Sequence, residues 1–402
     1  MNHDTEDLPG QDAPDVRSLS FLPRTNLDQL IQVLQQRGLT VVGPKVEQEA
    51  IVYDELTSAA ELPHGWTDQQ RPGEYRLVRR NDDAVFGFVV GPHSWKKFLF
   101  PPVINVAEVN RTERGWQMST PDPDSQPHYA FLGVRACELA AMKIQDRVFT
   151  GGPYVDPIYD RRRKNAFIVA VNCTLAGATC FCTSMNTGPR CTAGFDLALT
   201  EIDDGFVVEC GTSAGKDVLN CLSVTPATED QLQDAAGARQ RAVDQIQKTM
   251  DVDGIRDLLL ENLNHPRWSE TAERCLSCTN CTMVCPTCFC STVNDVADLT
   301  SDHVDRQRVW DSCFNFDFSY MNGGVARDSI RSRYRQWLTH KLASWNDQFG
   351  TSGCVGCGRC ITWCPTGIDL TVEVAAIRAT DGRATVNSAA ANALSIDESS
   401  DS

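Results

Sequence analysis

The sequence predicts an α+β protein, an N-terminal mixed α/β domain followed by a largely helical domain built around two cysteine runs. Three observations predict it. Short apolar segments of strand character alternate with helical-period segments up to about residue 265. Beyond that point β-branched alternation fades and cysteine density rises. The chain has 402 residues and 18 cysteines; that length buries a core without disulfide staples, so stability does not account for the thiols.

The elements follow in order. Residues 1–18 (MNHDTEDLPGQDAPDVRS) and 380–402 are polar or small and read as disordered tails. LDQLIQVLQQRG reads as a short helix closed by Gly38, and TVVGPKV, AIVYDEL and GEYRLV as strands divided by turn residues. In HYAFLGVRAC an apolar run ends at Cys137. ELAAMKIQDRVF follows at helical spacing, and a second apolar run, AFIVAVNC, ends at Cys173. That pattern is a βαβ unit with parallel, adjacent strands. A polar, helix-prone stretch from Thr228 to about Asn264 leads to HPRW, which places the boundary between a 19–265 domain and a 266–379 domain.

Net charge −16 and a pI near 4.9 argue against nucleic acid and anionic lipid as partners. No signal-like segment and no run of about 18 apolar residues is present, which points to the reducing cytoplasm, with export on a folded partner as the alternative. In that compartment clustered cysteines more often hold metal than form disulfides. Dinucleotide, NTP-loop and hydrolase motifs are missing, and His93 in GPHSWKK reads as a solvated loop histidine. No catalytic residue is expected.

The strongest signal is Cys275, Cys278, Cys281, Cys285 and then Pro286, repeated as Cys354, Cys357, Cys360, Cys364 and Pro365. This is C-x2-C-x2-C-x3-C-P. Three thiolates of one tight loop close on three corners of an iron–sulfur cube, and the fourth cysteine ligates the other cluster. One [4Fe–4S] cluster then takes Cys275, Cys278, Cys281 and Cys364, and the other takes Cys354, Cys357, Cys360 and Cys285. The alternative is zinc, in a stabilised scaffold or redox sensor, but zinc prefers paired C-x2-C knuckles.

Residues 286–353 separate the two runs and read as an insert without strands. Ile330, Tyr334, Trp337, Leu338, Leu342 and Trp345 share one face of a helix over about 325–345 that ends before Gly350. Loops divided by helices describe an α-helical ferredoxin domain, which resembles the iron–sulfur part of succinate dehydrogenase and heterodisulfide reductase subunits. Arg327, Arg331, Arg333 and Arg335 read as a solvated basic face, or as a dock for an acidic partner.

TCFC occurs twice, at 179–182 and 287–290. Cys137 and Cys173 end neighbouring strands, and Cys180 and Cys182 follow in one loop, so four thiols can converge where ligands gather in an open α/β sheet. They suffice for a third cluster of Cys137, Cys173, Cys180 and Cys182. Zinc, Cys191 as a substitute ligand, and plain packing of buried thiols are the alternatives. Cys288 and Cys290 read as packing beside the cluster loop, as redox-active thiols, or as part of an interface site; Cys210, Cys221 and Cys313 read as structural.

GVRACELAAMKIQDRVF, NCTLAGATCFCTSMNTGP, CLSCTNCTMVCPTCFC and SRYRQWLTHKLASWNDQFGTSGCVGCGRCITWCPTGID together resemble the β subunits of cytoplasmic NiFe sulfhydrogenases and the related A subunits of anaerobic sulfite reductases. The resemblance covers about residues 20–375. It implies an electron-transfer subunit between a flavin subunit exchanging electrons with NAD(P)H and a catalytic module. That module is a NiFe hydrogenase small and large subunit in one case and a siroheme sulfite reductase subunit in the other. Gly356 and Gly358 are expected to leave N–H groups free to approach sulfide, and Trp363 to shield a cluster from water.

Overall fold

The computed structural model describes residues 19–297 and 300–381; the two expected tails lie outside them, except for Thr380 and Asp381. From the N-terminus, β1 (Ser20–Pro23) and α1 (Leu27–Gln36) lead into the antiparallel pair β2 (Thr40–Glu47) and β3 (Ala50–Glu55). Helix α1 buries Leu27, Leu30, Ile31 and Leu34, an i, i+3, i+4, i+7 stripe, and Gly38 at φ +77° turns the chain out of it. Then β4 (Trp66–Arg71) and β5 (Glu74–Arg79) form a hairpin, and the short α2 (Lys96–Leu99) precedes the pair β6 (Val103–Thr112) and β7 (Gly115–Ser119).

The βαβ unit is present. Strand β8 (Tyr129–Val134) runs parallel to β9 (Phe167–Val171), with α3 (Ala136–Phe149) and α4 (Pro157–Lys164) between them. All five residues of β9 are buried, as a strand covered on both faces requires. One detail is corrected. Cys137 does not end the strand but sits in the first turn of α3, because the Glu138 carboxylate accepts the Arg135 N–H at 3.0 Å and starts the helix at Ala136. Strands β10 (Leu197–Ile202) and β11 (Gly205–Cys210), helix α5 (Ser213–Leu219) and the short β12 (Thr225–Pro226) complete an eight-stranded sheet of order β12-β1-β11-β10-β9-β8-β2-β3.

The remainder contains α6 (Glu229–Gln245), α7 (Ile255–Glu261), α8 (Arg267–Arg274) and α9 (Asn280–Met283). Next come β13 (Ser291–Ala297) and β14 (His303–Trp310), and then α10 (Ile330–Thr339), α11 (Trp345–Phe349), α12 (Arg359–Thr362) and α13 (Leu370–Ala379). The insert therefore does contain strands, against the sequence expectation. Strand β14 pairs with both β13 and β6, so one four-stranded sheet, β13-β14-β6-β7, draws on both ends of the chain. These strands escape the sequence pattern because β13 is mostly exposed and carries Asn294 and Asp295 among its valines.

The predicted long helix is α10 and α11 joined by one wider π turn at His340–Ser344, and Gly350 at φ +65° ends it. Tyr334, Trp337, Leu338, Leu342 and Trp345 are buried as expected, and Ile330 is half-buried. The arginine face is only partly solvated. Arg333 is buried with Nη1 on the carbonyls of Arg327 and Asp328, and Arg335 donates to the Leu263 carbonyl. Among the described residues no helix is long and apolar enough to cross a membrane.

Candidate metal centres

The two cysteine runs fold into the same loop. Ser277 and Thr279 in the first run have φ +53° and +70°, and Gly356 and Gly358, at the equivalent places of the second, have φ +65° and +77°. Two left-handed residues wrap each backbone tightly enough for three thiols to face one side. N–H groups then reach the sulfurs. Ser277 N–H donates to Cys275 Sγ at 3.4 Å, Gly356 N–H to Cys354 Sγ at 3.4 Å, and Ile368 N–H to Cys364 Sγ at 3.3 Å.

The first loop tolerates side chains at its left-handed positions and the second does not. A Cβ on Gly356 would lie 2.6 Å from the Phe181 carbonyl oxygen, and one on Gly358 would lie 2.5 Å from that of Thr179. The glycines of the second run thus admit another stretch of backbone, beyond freeing N–H groups. Gly358→Ala is expected to cost about 2–4 kcal/mol, from left-handed strain and overpacking. Thr279→Gly is expected to be neutral. Equal denaturant midpoints for Gly358→Ala and the parent chain would contradict this account.

Cys364, the fourth cysteine of the second run, meets the first run. A pocket is lined by Cys275, Cys278, Cys281 and Cys364 and walled by Phe314, Tyr334, Trp337 and Ile368. Burial pushes the Cys281 thiol up, and the thiols of Cys275, Cys364, Cys278 and Cys285 push the same way. Cys360 touches this pocket too, but the thiols that act on it after burial are Cys354, Cys357 and Cys285. Burial raises Cys354 to about 12 against the opposing charge of Lys341, and again Cys357 and Cys285 are its thiol neighbours. Cys285 itself accepts from the buried Lys341 ammonium at 3.2 Å and lies 3.1 Å from Thr287 Oγ1. A second buried ammonium, Lys96, donates to the Cys288 carbonyl at 3.1 Å and lies 3.9 Å from the Trp310 ring centroid. What both ammoniums meet is carbonyl oxygen, sulfur, a hydroxyl and a π face, an environment that favours negative charge on nearby sulfur.

The two TCFC copies grip the second loop from opposite sides, a role the sequence did not reveal. Thr287 Oγ1 donates to the Gly353 carbonyl at 2.6 Å. Thr179 Oγ1 lies 2.9 Å from Thr362 Oγ1, Phe181 N–H donates to the Gly356 carbonyl at 2.9 Å, and Thr187 Oγ1 to that of Val355 at 2.6 Å. Each central phenylalanine is an anchor. Phe181 is fully buried in the core of the helical part, and Phe289 packs edge-on against Phe149, Trp345 and Phe349. Cys290 is pushed down to about 7, first by a hydrogen bond from Cys313, which places those two thiols together.

Cys137, Cys173, Cys180 and Cys182 line a separate pocket with Arg135 and Cys357. Cys191 is buried behind it, its N–H on Asn172 Oδ1 at 2.7 Å, and does not line it. Burial raises Cys182 to about 12, with Cys173 and Cys357 adding to the shift. Trp363 is half-buried and stacks on Tyr75 at 5.1 Å between ring centroids.

Among the described residues no three His, Cys, Asp or Glu side chains converge on a point one metal ion could occupy. The thiols instead ring pockets, which fits a cube of several irons better than tetrahedral zinc. Comparison with known proteins agrees. The family described as 4Fe-4S dicluster domain matches residues 274–368. Sulfhydrogenase 2 subunit beta of Pyrococcus furiosus is 32% identical over 281 residues, which is 68% of this chain and 79% of that protein. No solved structure matches the chain.

Proposed function

Since the chain belongs to the family of sulfhydrogenase beta subunits, we propose that it relays electrons between a flavin subunit that exchanges them with NAD(P)H and the catalytic module of a cytoplasmic NiFe hydrogenase. That it is an iron–sulfur electron-transfer subunit follows from the family and from the dicluster domain. In this reading one [4Fe–4S] cluster is ligated by Cys275, Cys278, Cys281 and Cys364, the other by Cys354, Cys357, Cys360 and Cys285. The observation that carries it is that Cys364 lines one pocket with Cys275, Cys278 and Cys281.

Bound clusters accept and release single electrons. The chain's own residues tune and insulate them. The Lys341 ammonium and the N–H donors at Gly356 and Ile368 stabilise negative charge on the ligand sulfurs and so favour the reduced state. Phe314, Tyr334 and Trp337 keep water from the first site. Residues 266–379 form the helical ferredoxin part and 19–265 the α/β part, joined by the sheet that β13 and β14 share with β6. The partner subunits carry any bond-making chemistry.

The test is anaerobic purification of the assembled complex through a tag on this chain, with metal analysis and absorption spectroscopy. Nickel in the complex and bleaching of the iron–sulfur absorption by both H2 and NAD(P)H are expected. Siroheme in place of nickel would move the chain to a sulfite reductase, and colourless, zinc-containing protein would overturn the relay altogether.

A further inference from the structure

We infer that the α/β part carries a third [4Fe–4S] cluster, ligated by Cys137, Cys173, Cys180 and Cys182 and adjacent to the second cluster across Cys357. The inference rests on the relay reading and extends it outside the dicluster domain at 274–368.

Three separate pieces of backbone deliver the four thiols. Cys137 comes from the first turn of α3, where aligned peptide dipoles favour a thiolate. Cys173 lies two residues past β9, at the carboxyl edge of the sheet. Cys180 and Cys182 come from the loop that Phe181 pins into the helical core. Phe181 is buried in that core while Cys180 and Cys182, on either side of it, line the pocket. Cys191, two residues past Pro189, does not line the pocket.

The charge balance of the pocket points the same way. Its other walls are apolar, including Val89, Val90 and Leu175, and Arg135 is the one charged residue lining it. Arg135 is 1% exposed. Its Nη2 donates to the carbonyls of Phe86 and Phe88 at 2.8 and 3.0 Å, and Nη1 has no hydrogen-bond partner. Glu138, the carboxylate that acts on it, is also bound by Arg359, Tyr53 and Trp95, and a buried guanidinium whose charge is incompletely matched is unfavourable. Cysteines packed as neutral thiols leave that cost standing, whereas a cluster on four thiolates carries negative charge and lowers it. Among the groups that act on Arg135, Cys173 stands ahead of Tyr53, Glu138 and Cys191.

Position gives the cluster a task. Cys357 belongs to the second ferredoxin loop and also lines this pocket, so a single residue separates the two sites. One electron can pass between them with no bond made or broken. The three clusters then form a line through both parts of the chain, from the pocket of Cys275 to the rim of the eight-stranded sheet.

The experiment counts iron, acid-labile sulfide and zinc on the anaerobically purified full chain, alongside Cys173→Ser/Cys180→Ser and Cys191→Ser. The parent and Cys191→Ser are expected to hold about twelve irons, and the double variant about eight with the EPR signals of the two ferredoxin clusters intact. Those remaining irons show that the double variant has folded. Eight irons in the parent, or one zinc lost with the double variant, overturns the third cluster and leaves the relay standing. Fewer than eight in the parent overturns the relay itself.

Discussion

Cys364→Ser is expected to remove the cluster held by Cys275, Cys278 and Cys281, more than eighty residues away in sequence, while sparing the one held by its own loop. Cys364 lines the first pocket with those three thiols, whereas Cys354, Cys357 and Cys360 have Cys285 beside them. About four irons per chain should be lost, with one of the two ferredoxin EPR signals. Cys285→Ser should give the reciprocal result and remove the other signal. Because Cys285 also accepts from Lys341, its replacement strands a buried ammonium, so this variant should be the less stable of the two. Damage confined to the Cys354 cluster in Cys364→Ser would refute the exchange.

The largest effect on stability is expected at Glu138. Its carboxylate is 1% exposed and accepts from Arg135 N–H at 3.0 Å, Trp95 Nε1 at 2.9 Å, Tyr53 OH at 3.1 Å and Arg359 Nη2. Arg359 stands between Cys357 and Cys360, with its side chain fully buried and Nε on the Gly91 carbonyl at 2.9 Å. The pair therefore fastens the second cluster loop to the start of α3. Glu138→Ala leaves the Arg359 charge buried and unmatched, at a cost of about 3–5 kcal/mol.

Removing both charges should cost much less than the sum of the single changes, because the double variant Glu138→Leu/Arg359→Leu strands neither partner. Denaturant unfolding of the parent, Glu138→Leu, Arg359→Leu and the double variant gives the coupling. Glu138→Ala unfolding at the parent's midpoint would show that the pair holds nothing together. Loosening of this joint should also lower iron in the Cys354 cluster before the Cys275 cluster, since Arg359 lies in the second loop.

Some of this was legible in the sequence because the signal is local. The spacing of Cys275, Cys278 and Cys281 is itself the geometry of a loop, and the stripe of Leu27, Leu30, Ile31 and Leu34 is itself a helix face. Alternating and continuous apolar runs likewise located β2, β3, β8 and β9 within a few residues. The pattern failed where burial is slight. Strands β13 and β14 are held by ladder hydrogen bonds to each other and, through β14, to β6 instead of by an apolar face, so no period of two announced them.

By itself the sequence determined which residue types could hold iron and which apolar-patterned segments were helix or strand, since both depend on neighbours a few residues apart. Only the tertiary structure decided what the two TCFC copies do, why Gly358 stands where the first loop has Thr279, and where Arg135, Lys341 and Glu138 find their partners. Those choices turn on contacts between segments remote in sequence. A threonine that clamps a loop or an arginine facing a ring of thiols has no spacing to betray it, because its role is fixed by the backbone folded against it.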